Sequence, residues 1–158
     1  MPDHFERLGL PRRFSVDLAL AEREYLARSR LAHPDFHHGL SPAEQADKLA
    51  ESAALNDAFA TLKDPLRRAE YLLGLLGGPT ADGSKVGDPA FLMAMMDLRE
   101  RLEAGDKAGV EAELAARQRA DFAAVDELFA AAPPDLAAVR ATLNRLKTIA
   151  SLRREARA

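Results

Sequence analysis

The sequence predicts an all-α protein. Ala, Leu, Glu and Arg dominate its 158 residues, β-branched residues are scarce, and no segment of strand length alternates apolar and polar side chains. Apolar residues recur instead at helical spacing, in segments that begin at cap-forming residues and end at glycine or proline. We therefore expect helices joined by short connections along the whole chain.

Two helices are predicted before Pro34. The first is short, beginning at Asp3 and ending at Gly9. The second begins at Asp17, whose carboxylate can cap it, and ends near Ala32 because the residue before a proline is pushed out of the α region. The apolar residues at helical spacing along this second helix are Leu18, Ala21, Tyr25 and Leu26.

The third and fourth helices have the clearest start signals. Ser41 is a good cap residue, Pro42 suits the first helical position, and Glu44 completes a capping box. One side of the third helix carries Leu49, Ala53, Asn56, Phe59 and Ala60. Asp64-Pro65 repeats the cap-then-proline arrangement and begins a shorter fourth helix.

A linker separates two predicted domains. Helical periodicity disappears over residues 77–88, where Gly, Pro, Thr, Ser and Asp are concentrated. The first domain, residues 1–76, then contains four helices. The second, residues 89–158, contains three helices joined by short connections and should pack as an antiparallel bundle. These three helices begin at Pro89, near Asp106 and after Asp135.

The composition argues against several classes of function. Because the chain has no cysteine, disulfides, thiol nucleophiles and thiolate metal sites are excluded. A net charge of -3 argues against a general nucleic-acid binder. No apolar run is long enough to span a membrane and no secretory signal is visible, so the cytoplasm is the predicted compartment and no membrane partner is expected. A protein partner is favoured.

The loop after the second helix holds residues able to bind a metal or move a proton: His33, Asp35, His37 and His38. Metal binding is one interpretation, although no further ligand stands at a spacing that completes the site. A catalytic His-Asp pair is another, although the chain has no Gly-rich phosphate loop, elbow-type serine or cysteine. A plain proline turn, in which His33 caps the preceding helix, is the third.

The residues around this loop resemble a family of co-chaperones. His33-Pro34-Asp35 between two long helices is the hallmark of J-domains, the modules that stimulate ATP hydrolysis by Hsp70 chaperones. The flanking sequence resembles the HscB family, the J-proteins of iron–sulfur cluster assembly. The matching segments are Phe5-x-x-Leu8-Gly9-Leu10-Pro11, Phe14-x-x-Asp17, Tyr25, Ser52-x-x-x-Asn56-x-Ala58-Phe59, Arg68-Ala69-Glu70-Tyr71-Leu72-Leu73, Phe91-Leu92-Met93 and Asp97-Leu98-Arg99-Glu100. The resemblance covers nearly the whole chain.

The resemblance implies an L-shaped protein with two binding surfaces, no cofactor and no enzymatic activity of its own. Its J-domain, an antiparallel helical hairpin with short flanking helices, would bind an HscA-type Hsp70 and stimulate the ATPase. The residues implied for this contact are His33, Pro34, Asp35, Arg30, Arg28 and Arg23. The arginines also suit an ordinary solvated face, since Glu22 and Glu24 stand among them.

The bundle would bind the scaffold protein IscU and deliver it to the chaperone. The residues implied for this contact are Leu92, Met93, Met96, Asp97 and Glu100. Their spacing places them on a shared side of one helix. Because one helix cannot turn all its apolar residues toward a three-helix core, part of this surface should be exposed. Core positions are predicted for Phe91, Met95, Leu98 and Leu102.

The sequence departs from the HscB pattern at a few positions. Ala32 stands where a large apolar side chain is common, Phe36 replaces a basic residue, and Thr148 lies about where an aromatic adds to the scaffold surface. Two alternatives stay open. One is a J-protein that serves a general Hsp70 with a different client, and the other is a metal-binding protein built on the histidine loop.

Overall fold

Every regular element that the structure describes is a helix. The structure is a computed structural model, and it describes residues 1–33, 38–81 and 87–158. The helices within these ranges are α1 (His4–Arg7), α2 (Leu18–Ala32), α3 (Pro42–Lys63), α4 (Pro65–Leu75), α5 (Pro89–Glu103), α6 (Lys107–Ala130) and α7 (Leu136–Arg157). The predicted all-α fold is confirmed.

The helices begin at the predicted cap residues, whose side chains accept hydrogen bonds from otherwise unpaired backbone N–H groups. Ser41 Oγ accepts from the N–H of Glu44 at 3.2 Å, and the Glu44 carboxylate accepts from the N–H of Ser41 at 2.9 Å. This reciprocal pair is the predicted capping box. Aspartate carboxylates cap the six other described helices, at Asp3, Asp17, Asp64, Asp88, Asp106 and Asp135.

Met1–Leu72 is the first of two compact units. Its α2–α3 hairpin is joined by Tyr25, which stacks on Phe59 with ring centroids 4.5 Å apart and donates its hydroxyl hydrogen to Asn56 Oδ1. The Tyr71 ring, near the C-terminal end of this unit, stacks on the ring of His4 near its N-terminal end, with ring centroids 4.2 Å apart. The apolar core of the unit comprises Phe5, Leu8, Leu10, Phe14, Ala21, Ala32, Leu55, Ala58, Leu62, Ala69 and Leu72.

The predicted apolar sides of α2 and α3 are partly wrong. Leu18 and Leu26 on α2 are exposed, as is Leu49 on α3. The residues that α3 buries are Leu55, Ala58, Thr61 and Leu62. Alanine occurs on several sides of both helices. Because its side chain is small, more than one side of each helix could pack against a neighbouring helix, and apolar spacing alone does not select the buried side.

Leu73–Ala158 is the second unit, in which α5, α6 and α7 pack around one core. The predicted core residues Phe91, Met95 and Leu98 of α5 are buried there, and Leu102 packs against them partly buried. Their partners in this core are Val110, Leu114, Ile149 and Leu152.

Ion pairs also join α6 to α7. Asp121 Oδ1 accepts from Arg145 Nη2 at 3.3 Å. Glu111 Oε1 accepts from Arg153 Nε at 3.1 Å and from Arg157 Nη2 at 2.8 Å. The hydrogen bonds from Arg153 and Arg157 lower the pKa of Glu111 to about 2.

The boundary between the two units lies within α4, between Leu72 and Leu73. Residues 82–86, in the predicted linker, lie outside the described residues. The division into a J-domain over 1–76, a linker over 77–88 and a bundle over 89–158 therefore stays a prediction.

Candidate partner-binding surfaces

The predicted Hsp70-binding loop is described only at its edges. Pro34 and Asp35, together with Phe36 and His37, lie outside the described residues. His33 is the C-cap of α2, is exposed, and has an extended backbone with φ -68° and ψ 132°. The helix therefore ends where a following proline was expected to end it.

Arg23 and Arg30 share an exposed side of α2. They lie two helical turns apart, and both are exposed. Leu26 is between them on the same side, one turn from each, and is 56% exposed. Sequence spacing assigned Leu26 to the apolar side of the helix, whereas the structure adds it to the surface that carries the two arginines.

Arg28 lies on a different side of α2 from Arg30, because residues two positions apart do not face the same way. Its Nε donates to Glu24 at 3.2 Å. Its guanidinium also approaches Gly9, where an added Cβ would lie 2.6 Å from Nη2. Of the three predicted arginines, the structure thus brings Arg23 and Arg30 together and places Arg28 toward the segment that follows α1.

The exposed side of α5 carries the apolar residues predicted for scaffold binding. The exposed fractions are 42% for Leu92, 71% for Met93 and 63% for Met96. The other side of the same helix contributes to the buried core of the second unit. The expectation that one helix cannot bury all of these side chains is confirmed.

Two carboxylates lie beside these apolar side chains. Asp97 is next to Met96 in sequence, Glu100 is one helical turn further along α5, and both are exposed. We refer to Leu92, Met93, Met96, Asp97 and Glu100 as the α5 patch.

Arginines adjacent to the α5 patch are held by carboxylates of other elements. Arg99 Nη1 donates to both carboxylate oxygens of Glu155 on α7, at 2.9 and 3.2 Å. Arg101 Nη1 donates to Glu113 on α6 at 2.8 Å, whereas its distance to Asp97 Oδ2 is 3.9 Å. The patch therefore retains negative charge. Sequence inspection missed these pairs, because their members lie on different helices.

Thr148 on α7, at about the position where the HscB pattern has an aromatic side chain, adds little exposed apolar surface. Thr148 is partly buried, and its hydroxyl donates to the carbonyl oxygen of Asn144 at 3.3 Å. Its neighbour Ile149 is fully buried in the core of the bundle. Of the three bundle helices, α5 is therefore the one that carries the exposed large apolar side chains within the described residues.

Asp35 and His37, two of the four residues that could form a metal site in the histidine loop, lie outside the described residues. Within residues 1–33, 38–81 and 87–158, no three acidic or histidine side chains come together as a candidate metal site. In the same ranges, none of the helices has the length and apolar character needed to cross a bilayer.

Known proteins share this architecture. A family described as the HSCB C-terminal oligomerisation domain matches residues 87–157. The co-chaperone protein HscB homolog of Bordetella petrii is 45% identical over 114 residues, which are 71% of this chain and 67% of the relative. The solved chaperone HscB from Vibrio cholerae is 34% identical, with a TM-score of 0.85 over 99% of this chain and 96% of that chain. The crystal structure of human HscB is 26% identical, with a TM-score of 0.90 over 99% and 81% of the two chains.

These similarities define the class of the protein as a co-chaperone with a J-type helical fold and a C-terminal helical oligomerisation domain. The chain belongs to the HscB co-chaperone family. The matched region spans 67% of the Bordetella petrii relative and 60% of a curated HscB homolog from Vibrio cholerae.

Proposed function

We propose that this protein is a cytoplasmic co-chaperone that binds an HscA-type Hsp70 and an IscU-type iron–sulfur scaffold protein at the same time. The N-terminal J-domain would stimulate the ATPase of the Hsp70, and the C-terminal bundle would deliver the scaffold. Holding both partners raises the effective concentration of the scaffold at the chaperone. ATP is hydrolysed by the Hsp70, so in this proposal the chain is not an enzyme and needs no cofactor.

The observation that carries the proposal is the exposed apolar surface of the α5 patch. Leu92, Met93 and Met96 adjoin one another on one side of α5 and are all exposed. Removing apolar surface from water contributes roughly 25 cal/mol per Å² to association, and methionine adapts its shape to a partner. The carboxylates of Asp97 and Glu100 at the same surface favour a partner that combines apolar and basic groups.

The surface on α2 supports the Hsp70 contact. Arg23 and Arg30 lie on one exposed side of α2, and Arg30 is close in sequence to His33 at the start of the loop. A row of cations that leads to the loop would attract an acidic surface on the Hsp70 and orient the encounter. Pro34 and Asp35 are proposed to make the loop contact itself, while Arg28 is expected to contribute less because of its different orientation.

The scaffold contact can be tested by replacing Leu92, Met93 and Met96 together with alanine. Calorimetric titration with purified IscU-type scaffold should show binding weakened about tenfold or more, since buried apolar anchors dominate interface energies. Because the three side chains are exposed in the free protein, the helical circular dichroism and the unfolding midpoint should change little.

A matched control replaces exposed leucines in the other unit. Leu18 and Leu49 are each at least as exposed as Leu92, so Leu18→Ala/Leu49→Ala removes two exposed leucines away from the α5 patch. This control should bind the scaffold like the unaltered protein. Unchanged affinity of the α5 variant, or equal weakening by the control, would overturn the assignment of the scaffold contact to the α5 patch.

A further inference from the structure

The guanidinium group of Arg101 is shared among three carboxylates. Its Nε and Nη2 donate to Asp106 Oδ2 at 3.4 and 3.0 Å. Its Nη1 donates to Glu113 Oε2 at 2.8 Å. The same Nη1 lies 3.9 Å from Asp97 Oδ2, one helical turn back along α5. Glu113 and Asp97 are therefore alternative acceptors for one nitrogen.

Glu113 is the preferred acceptor for Arg101 Nη1. Its other carboxylate oxygen lies 3.6 Å from Arg117 Nη2, which orients the side chain. The Glu113 side chain is 39% exposed, compared with 67% for Asp97, so water screens its attraction to Arg101 less. The hydrogen bonds to Glu113 and Asp106 raise the pKa of Arg101, because both carboxylates favour its charged form.

Asp106 limits where Arg101 can move. Its carboxylate is fixed at the start of α6, because its Oδ1 caps the helix by accepting from the Gly109 N–H at 3.0 Å. With Nε and Nη2 anchored on this carboxylate, an Arg101 that lost Glu113 would keep its guanidinium in place. Asp97, already within ion-pair distance of Nη1, would become the next acceptor.

We propose that Glu113 is a positioning residue for scaffold binding: by accepting the hydrogen bond from Arg101 Nη1 it keeps this nitrogen 3.9 Å from Asp97 instead of hydrogen-bonded to it, and so preserves negative charge in the α5 patch. The proposal rests on the proposed function of the α5 patch. It gives α6 a part in selecting a partner with a basic surface, although Glu113 need not touch that partner.

The test is the variant Glu113→Ala, titrated calorimetrically with purified IscU-type scaffold at low ionic strength. Affinity should fall about two- to fivefold, the range that one exposed ion pair accounts for. The difference should shrink at high salt, because screening weakens the charge contribution. Glu127→Ala is a matched control, since it removes an exposed carboxylate from the same helix and should leave the affinity unchanged.

Repeating the Glu113→Ala substitution in an Arg101→Gln variant shows whether Glu113 acts by positioning Arg101 or by stabilising the structure. Arg101→Gln removes the cation that Glu113 holds, so adding Glu113→Ala to it should cause no further loss of affinity. Unchanged affinity of Glu113→Ala in the native background, or equal losses in both backgrounds, would overturn the proposal. If the α5 apolar variant weakens binding but Glu113→Ala does not, this inference alone fails. If neither does, the proposed scaffold surface fails with it.

Discussion

The guanidinium of Arg68 lies over the ring of Phe14, with its Cζ 4.8 Å from the ring centroid. Arg68 is 7% exposed, and its Nη1 donates to the carbonyl oxygen of Leu62 at 2.7 Å. One side chain on α4 therefore contacts both the end of α3 and the segment that precedes α2. A cation removed from water in this way stabilises through the aromatic ring and through the peptide oxygen together.

Replacing Arg68 with alanine should destabilise the first unit by about 2 to 4 kcal/mol, because it removes a desolvated cation–π contact and a charge-assisted hydrogen bond. Urea denaturation followed by tyrosine fluorescence reports on this unit, since both tyrosines, Tyr25 and Tyr71, belong to it and the chain has no tryptophan. Arg67→Ala removes the exposed neighbour on the same helix and should cost less than about 1 kcal/mol. Equal losses from the two variants would contradict this account of Arg68.

The environment of His4 predicts a pH dependence of the first unit. Burial against Tyr71 lowers the pKa of His4 below its ordinary value of 6.5, and the nearby carboxylate of Asp57 opposes this only in part. The unfolded chain therefore binds the proton more readily than the folded one. Stability should be fully present above pH 6.5 and should be lost as the pH falls through the lower pKa of the folded state.

The comparison of the native protein with His4→Gln isolates this effect. Both retain the histidines of the loop, so the contribution of those residues cancels. The urea midpoint from tyrosine fluorescence should fall more steeply between about pH 7.5 and 5.5 for the native protein than for the variant. Parallel pH profiles of the two proteins would show that His4 titrates alike in the folded and unfolded states.

The orientation of the α2 arginines predicts unequal effects on Hsp70 stimulation. Arg30→Ala and Arg23→Ala should each raise the concentration needed for half-maximal stimulation of the Hsp70 ATPase about two- to fivefold at low salt. Arg28→Ala makes the same charge change on the same helix but on a different side, next to Glu24, and should have a smaller effect. An effect of Arg28→Ala as large as that of Arg30→Ala would show that the exposed side does not define the contact.

The starts of the helices were predictable because caps depend on local chemistry. Ser41 and Glu44 exchange hydrogen bonds within one turn, so their spacing in sequence contains the whole interaction. The buried side of α3 was not predictable in the same way. Leu49 and Leu55 differ in burial although both are leucines at helical positions, because burial depends on which side meets distant parts of the chain.

The α5 patch illustrates the same distinction. Exposure of part of this apolar surface was predicted, since α5 has more apolar residues than one side can hold. Leu92 and Met96 belong to the part that is exposed. The contact of Arg101 with Glu113 was not, because it joins separate helices and depends on their packing. Local patterns thus located the candidate surface, whereas its charge balance required the tertiary structure.

The most direct test of the co-chaperone proposal is the steady-state ATPase rate of an HscA-type Hsp70 mixed with this protein, with and without IscU-type scaffold. The native protein should raise the rate, and the scaffold should raise it further because both partners are held together. Asp35→Asn, which removes the charge of the loop, should leave the rate at its basal value while the helical circular dichroism is preserved. Full stimulation by Asp35→Asn, or no stimulation by the native protein, would contradict the proposal.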